Sequence, residues 1–157
     1  MPGQTQMRTL LLIFACFACY APPHAPAATD AIDEIALTRL AGGLGNGPAY
    51  SVTLRADGTA SYEGMGNVPM LGRYRADIDA EAFRALAEHA IRIGFWALED
   101  EYFREYTDLT STVTAVVAGK QRKRLLNYGY AAPREVRDFE AAIDAVVARL
   151  RWHAVDG

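Results

Sequence analysis

Hydrophobic and polar residues alternate along the first half of the chain. The segment EIALTRL, residues 34–40, alternates with period two, and so does AYSVTLRADGTASYEG, residues 49–64. The second segment contains the pair Asp57-Gly58, which accepts the positive φ angles of a tight hairpin turn. A shorter strand is predicted at residues 71–75. The pattern therefore predicts four strands, and strands joined by tight turns pair antiparallel.

The period then changes to that of an amphipathic helix. Asp79 is a good N-cap residue, and apolar residues follow it at helical spacing until Gly94. These apolar residues are Phe83, Leu86, Ala87, Ala90 and Ile91. Phe95, Trp96 and Leu98 are predicted to anchor the end of this helix to the sheet.

Another hairpin and another helix follow. The segment STVTAVVAGKQRKRLLNY, residues 111–128, predicts a hairpin that turns at Gly119. Pro133 suits the first position of a second helix, which is predicted to extend up to Trp152. Its apolar stripe consists of Val136, Phe139, Ile143, Val146, Val147 and Leu150.

The order ββββ-α-ββ-α defines the expected fold class. Two amphipathic helices need a sheet face to cover. We therefore predict an α+β fold, a two-layer sandwich in which an antiparallel sheet of about six strands is covered by the two helices. Residues 34–152 are expected to form this single domain, after a short linker at 28–33 and before a tail at 153–157.

Residues 1–27 are predicted to be a secretory signal peptide. Arg8 precedes an uncharged run from Leu10 to Ala21, and small residues follow at the spacing that a signal peptidase reads. The apolar run is shorter than the roughly 20 residues of a transmembrane helix, so no transmembrane span is expected. The protein is therefore expected to be exported, either periplasmic or secreted. The alternative is a lipoprotein anchored through Cys16.

The composition limits which binding and catalytic chemistry is expected. Both cysteines, Cys16 and Cys19, lie inside the apolar run, so cleavage after Ala27 leaves no thiol for a disulfide or a metal site. The chain has 16 basic and 19 acidic residues and a formal net charge of −3, which gives no electrostatic argument for nucleic-acid binding. No cofactor is expected, and the sequence does not determine the oligomeric state.

The stretch GGLGNGPA, residues 42–49, looks like a phosphate-binding loop but lacks the required residues. A dinucleotide fingerprint that begins at Gly43 needs a glycine where Pro48 stands. A P-loop that begins at Gly42 needs Lys and then Ser or Thr after Gly47. Both motifs also require a following helix, whereas a hairpin follows here. The expected structure is a loop between strands.

Several segments, taken in order, resemble a known family. They are LTRLAGGLGNGPAYSVTLRADGTASYEGMG, GRYRADIDAEAFRALAEHAIRIGFWALEDEY, YTDLTSTVTAV and NYGYAAPREVRDFEAAID. Together they resemble the bacterial exported domain of unknown function DUF6438 over residues 34 to 152. Family members typically show Cys-Phe-Gly-x-Cys-Pro-x-Tyr at the glycine stretch, so Gly43 and Gly47 stand where the resemblance implies two cysteines. The function of such a pair is not carried over to this chain.

The strongest candidate site is the acidic and aromatic segment LEDEYFREYTDLTS, residues 98–111. Tyr106 and Asp108 of this segment, together with Tyr128 of NYGYAAP, are the candidate binding residues. A solvated acidic loop in which Asp108 only caps a turn is the alternative. The spacing is not that of a calcium-binding EF-hand loop, and no metal ligands are assigned.

The inventory of chemical groups favours a non-catalytic function. Histidine and serine are scarce and stand in no nucleophile motif, so no catalytic residue is assigned. The expectation is a binding or interaction module of the bacterial cell envelope, whose partner is a protein or another envelope component. The alternative is a metal- or carboxylate-dependent envelope hydrolase that uses Glu101 and Asp108 as ligands, or as acid and base.

Overall fold

The computed structural model describes residues 32–43, 45 and 47–155, which form one sheet of eight strands and two helices. The strands are β1 (Glu34–Leu40), β2 (Ala49–Arg55), β3 (Thr59–Gly66), β4 (Gly72–Asp77), β5 (Glu101–Tyr102), β6 (Ser111–Ala118), β7 (Gln121–Tyr128) and β8 (His153–Ala154). Their order across the sheet is β5-β7-β6-β1-β2-β3-β4-β8. Strand β5 pairs parallel with β7, whereas the other neighbours pair antiparallel.

The predicted α+β class, with one sheet and two helices, is confirmed. The predicted count of about six strands, the order ββββ-α-ββ-α and the wholly antiparallel sheet are not matched. The two further strands, β5 and β8, have two residues each and lie at the two edges of the sheet. Glu101 of β5 pairs with Leu126, and His153 of β8 pairs with Arg75. A strand of two residues contains no alternation, so periodicity does not reveal it.

Helix α1, Ala80–Arg92, begins where the sequence predicts. The Asp79 carboxylate accepts hydrogen bonds from the backbone N–H groups of Glu81 at 2.8 Å and Ala82 at 3.2 Å, as an N-cap does. After the helix, Gly94 adopts a left-handed conformation with φ 64° and leads into a 3₁₀ turn, Phe95–Ala97. Phe95 is fully buried, so it anchors the helix exit as expected.

Helix α2, Arg134–Val147, is shorter than predicted. Pro133 is its N-cap, with an extended ψ of 157°, and not its first helical residue. Trp152 lies beyond the helix because the chain turns after Val147. The Trp152 Nε1–H donates to the Val147 carbonyl at 3.0 Å, and its ring lies 5.4 Å from that of Tyr62 in β3. Trp152 therefore links the end of α2 to the sheet.

One face of the sheet packs with both helices in a single core. Alternate residues of the central strands, such as Leu37, Val52 and Leu54, are buried in this core with Phe139 of α2. Each large apolar side chain buried in this way stabilises the fold by about 1.5–3 kcal/mol. The alternate residues on the opposite side are half-buried or exposed, apart from Ala115. We call that side the open face.

No helix in the described part of the chain is long and apolar enough to cross a membrane. The predicted signal peptide at 1–27, including Cys16 and Cys19, lies outside the described residues.

Candidate functional site

The two ends of the sheet differ in how the strands are joined. At one end, which we call the turn end, Asp57-Gly58 joins β2 to β3 and Gly119 lies between β6 and β7. At the opposite end, four longer segments lie after β1, after β3, before β6 and after β7. We call this the loop end, and its described residues are 41–43, 45, 47–48, 67–71, 103–110 and 129–133.

Backbone strain is concentrated in the loop end. Among the described residues, three that are not glycine have a positive φ: Asn67 at 51°, Asp108 at 65° and Tyr130 at 57°. All three lie in the loop end. A left-handed conformation is unfavourable for a residue with a side chain, by about 1–2 kcal/mol, so neighbouring contacts must hold it in place.

For Asn67 and Asp108, those contacts converge on the glycine stretch. The Asn67 side-chain amide donates to the backbone carbonyls of Gly45 at 2.5 Å and Gly47 at 3.1 Å. Asp108 packs directly against the other glycines. A Cβ on Gly43 would overlap the Asp108 carboxylate, and a Cβ on Gly42 would overlap the Asp108 backbone carbonyl. The stretch is therefore a packing surface for two other segments.

Tyr128 also contacts the segment before β6. Its hydroxyl accepts a hydrogen bond from the backbone N–H of Leu109 at 3.2 Å, and its ring stacks on Phe103 with centroids 4.7 Å apart. Tyr106 lies between these contact points and exposes 69% of its surface. Of the three predicted binding residues, the structure thus gives Asp108 and Tyr128 contacts that position the loop, and it leaves Tyr106 facing solvent.

Two further aromatic side chains of the loop end are exposed. Phe103 is 65% exposed and Tyr130 is 55% exposed. Tyr130 also lines a shallow cavity of about 240 Å³, together with Pro48, Thr110 and Thr112. The loop end therefore presents three exposed aromatic rings, one of which, Tyr130, lines a cavity with both polar and apolar walls.

A network of charged and polar side chains lies beneath this surface. The Arg39 Nε and Nη2 groups both donate to Oδ2 of Asp144, at 2.9 and 2.5 Å, and Nη1 donates to the Thr112 hydroxyl at 2.9 Å. The Tyr50 hydroxyl donates to the other oxygen of Asp144. Burial and the neighbouring Asp144 carboxylate raise the pKa of Tyr50. Asp144 thus accepts hydrogen bonds from the side chains of Arg39 and Tyr50 and joins α2 to β1 and β2.

A second buried carboxyl, that of Glu140, supports the turn after β7. Glu140 is 1% exposed, and its carboxyl oxygens accept from the side-chain amide of Asn127 at 3.1 and 3.0 Å. The Asn127 side-chain oxygen accepts in turn from the backbone N–H of Ala132 at 3.0 Å. Burial raises the pKa of Glu140, with the Asn127 hydrogen bond opposing it. Helix α2 is thereby linked to the turn that carries Tyr130.

The hydrolase alternative assigns Glu101 and Asp108 to one reaction centre. Glu101 lies in the edge strand β5, whereas the Asp108 carboxylate packs against Gly43. Within the described residues, no group of three or more His, Cys, Asp or Glu side chains is arranged to hold a metal ion.

The sequence interpretation missed the buried polar network, although the sequence contains a signal for it. Arg39 falls in phase with the apolar residues Ile35 and Leu37 of β1, so it points to the helix side of the sheet. Glu140 follows Val136 by four residues and therefore lies on the apolar stripe of α2. A charged residue in phase with the core marks a buried ion or hydrogen-bond network.

The sequence matches one protein family. The family model for the domain of unknown function DUF6438 matches residues 33–147, and the chain therefore belongs to this family. No curated protein matches the sequence. The family description names no activity, so functional inference rests on the loop end and on the surfaces of the sheet.

Proposed function

We propose that this chain is a non-catalytic binding module of the bacterial cell envelope and that the loop end contacts its partner. The observation that carries this proposal is the exposure of Phe103, Tyr106 and Tyr130, each with more than half of its surface accessible. Aromatic side chains provide a large contact area at a low cost in conformational entropy, and they are enriched at interfaces.

The predicted binding residues have different roles in this proposal. Tyr106 contacts the partner directly, with Phe103 and Tyr130. Asp108 and Tyr128 hold the segment that carries Tyr106, through Gly43 and the Leu109 backbone. A surface that is held in place before binding loses less entropy when the partner arrives.

Site-specific photo-crosslinking in the native envelope tests the surface. A photoreactive amino acid replaces Tyr106 or Tyr130 in the full chain, and the matched control carries it at Ala145, an exposed position of α2. We expect a discrete adduct from positions 106 and 130 and none from 145. An excess of unmodified chain should suppress the adduct.

A competitor that lacks the aromatic rings makes the test specific. The double variant Tyr106→Ser, Tyr130→Asn should not suppress the adduct, because it lacks two of the exposed rings. Asparagine is chosen at position 130 because it tolerates the left-handed conformation that Tyr130 adopts. The same adduct from position 145, or equal competition by the double variant, contradicts the proposed surface.

Export is part of the proposal and rests on the pattern of residues 1–27. The intact mass of the protein recovered from cells distinguishes the two routes. A free exported module begins after Ala27, whereas an anchored one begins at a lipid-modified Cys16. A mass that retains all 157 residues contradicts both routes.

A further inference from the structure

The open face carries five exposed arginines near its margins. Arg122 and Arg124 lie on β7, Arg73 and Arg75 on β4, and Arg55 at the end of β2. Their positions in the strand registers place all five side chains on the side opposite the core. This face thus has a basic margin on each side.

Most of these arginines have no acidic partner. Arg55 pairs with Glu34 at 3.0 Å. Within the part of the chain that the structure describes, the other four guanidinium groups form no ion pair and no side-chain hydrogen bond. The other carboxylates in the strands of this face are Glu63, the register partner of Arg73, together with Asp77 and with Glu101 of β5, the register partner of Leu126. With Glu34, the face therefore carries five arginines and four carboxylates, in a chain whose formal net charge is −3.

Along one row of the open face, only small side chains separate the two margins. One register row crosses six strands in the order Arg124, Ala115, Ala36, Thr53, Ser61 and Arg75. Neighbouring strands lie about 4.8 Å apart, so the strands of the two terminal arginines are about 24 Å apart. The row is a floor of alanine and hydroxyl side chains between two positive charges.

Open space lies beside the β4 margin. A cavity of about 580 Å³ is lined by Ser61, Arg75 and His153, and also by Asp77. A second cavity, of about 340 Å³, is lined by Thr53 and Arg73, and also by Glu63. The small side chains of the floor thus leave room for a ligand next to the arginines.

We propose that the open face binds an extended acidic polypeptide segment of a partner, with carboxylates at both ends and small residues between them. Guanidinium groups bind carboxylates through paired hydrogen bonds. An extended chain advances about 3.3 Å per residue, so about seven residues span the 24 Å between the margins. The site is separate from the aromatic loop end and does not depend on the proposed function of that end.

A polypeptide fits this face better than an acidic polysaccharide does. Sugar rings are commonly bound by stacking on aromatic side chains, and the register row between Arg124 and Arg75 contains none. The positive charges lie at the two margins, whereas an acidic polysaccharide carries charge along its whole length. The spacing of the negative charges along the ligand therefore distinguishes an acidic polypeptide from an acidic polysaccharide.

Fluorescence anisotropy with two labelled nonapeptides tests the proposal on the full chain. The first probe has the sequence Asp-Glu-Ala-Ser-Ala-Thr-Ala-Glu-Asp. The second has the same composition with its four acidic residues adjacent at the centre. We expect the first probe to bind about tenfold more tightly, because only its carboxylates reach both margins.

Charge-reversal variants locate the binding face. Arg75→Glu and Arg124→Glu should each weaken binding of the first probe about tenfold, since each reverses the charge at one end of the register row. Arg149→Glu is the matched control, because Arg149 is exposed after α2 and lies outside the strands. The Tyr106→Ser, Tyr130→Asn variant should bind the probe normally, which separates this site from the loop end.

Four results would each overturn the proposal. These are no binding of the first probe at about 1 mM protein, equal affinity for the two probes, an equal loss in Arg149→Glu, and tighter binding of a sulfated oligosaccharide of similar length. The last result would assign the face to an acidic polysaccharide. Unchanged melting temperatures of the variants establish that any loss of binding is local.

Discussion

The turn end and the loop end of the sheet are stabilised by different kinds of contact. At the turn end, the Asp57 carboxylate accepts from the Thr59 backbone N–H at 2.9 Å and the Thr59 hydroxyl at 2.6 Å, only two residues away. At the loop end, contacts join distant segments, as in the ion pair between Arg39 and Asp144, which are 105 positions apart. The Asp57 turn is thus held by local sequence, although at the same end the Gly119 N–H donates to the Asp33 carboxylate at 2.5 Å across 86 positions. The ion pair at the loop end depends on the whole fold.

The core beneath the two ends differs in the same way. Toward the turn end it is apolar, with Ile35, Leu54 and Val116 fully buried. Toward the loop end it contains the buried polar side chains of the described residues, which are Thr112, Thr114, Asn127 and Glu140. The fold thus places its strained backbone and its polar interior at the end that we propose for partner binding.

The largest expected effect is the difference between two glycine-to-alanine changes. Gly42→Ala should destabilise the fold by about 3 kcal/mol, because the new methyl group overlaps the backbone carbonyl of Asp108. Gly119→Ala, at the turn end, should cost about 1 kcal/mol, because its φ is 56° but the surrounding space is open. Urea denaturation of the three proteins measures the difference.

Gly43→Ala sharpens this comparison. At position 43 the new methyl group overlaps the Asp108 side chain, which can rotate away. The loss of unfolding free energy should therefore lie between the losses caused by Gly119→Ala and Gly42→Ala. Equal losses at positions 42 and 119 would show that the loop end is no more tightly packed than the turn end.

A pH-dependent effect of intermediate size should come from Glu140. Because its pKa is raised by burial, the folded protein binds the proton of Glu140 more tightly than the unfolded chain, whose value is about 4.5. The free energy of unfolding should therefore decrease as the pH rises from about 4.5 through the higher pKa of the folded state. Each unit by which that pKa is raised removes about 1.4 kcal/mol.

Denaturant titrations across this pH range, on wild type and Glu140→Gln, measure the effect. Glutamine keeps an oxygen for the Asn127 amide but carries no charge, so the decrease should disappear. Glu135→Gln is the matched control on the same helix, because Glu135 is the same residue type and is exposed. A decrease that persists in Glu140→Gln would assign it to another group.

The smallest expected effect is a gain in stability at Tyr130. Tyr130→Asn should stabilise the fold by about 0.5 kcal/mol, because asparagine tolerates a positive φ better than tyrosine does. The exposed ring contributes little burial in return. Tyr106→Asn, at a residue without positive φ, should give no such gain in thermal denaturation. A loss of stability at position 130 would show that the ring supports the loop end.

The elements with strong local signals were predictable from the sequence. The Asp57-Gly58 turn and the Asp79 cap were found because each depends on residues within three positions. The strands β5 and β8 were missed because two residues contain no alternation and only their pairing with β7 and β4 defines them. The end of α2 was placed too late because Leu150 and Trp152 continue the apolar pattern after the helix has ended.

The candidate site was predictable only in part. The sequence identified Tyr106, Asp108 and Tyr128 from composition, but it could not show that Asp108 packs against Gly43. Positive φ angles at Asp108 and Tyr130 result from tertiary contacts, because neither residue type alone favours that conformation strongly enough to predict it. The basic margins of the open face likewise require the strand order that brings β7 and β4 to opposite sides.

The two short edge strands limit how another chain can join this sheet. A long free edge accepts an added strand through backbone hydrogen bonds that are nearly independent of sequence. Here each edge strand has two residues, and the neighbouring edge of β7 carries Arg122 and Arg124. The partner binding that we propose therefore depends on side chains, so its selectivity can change through single substitutions while the backbone stays the same.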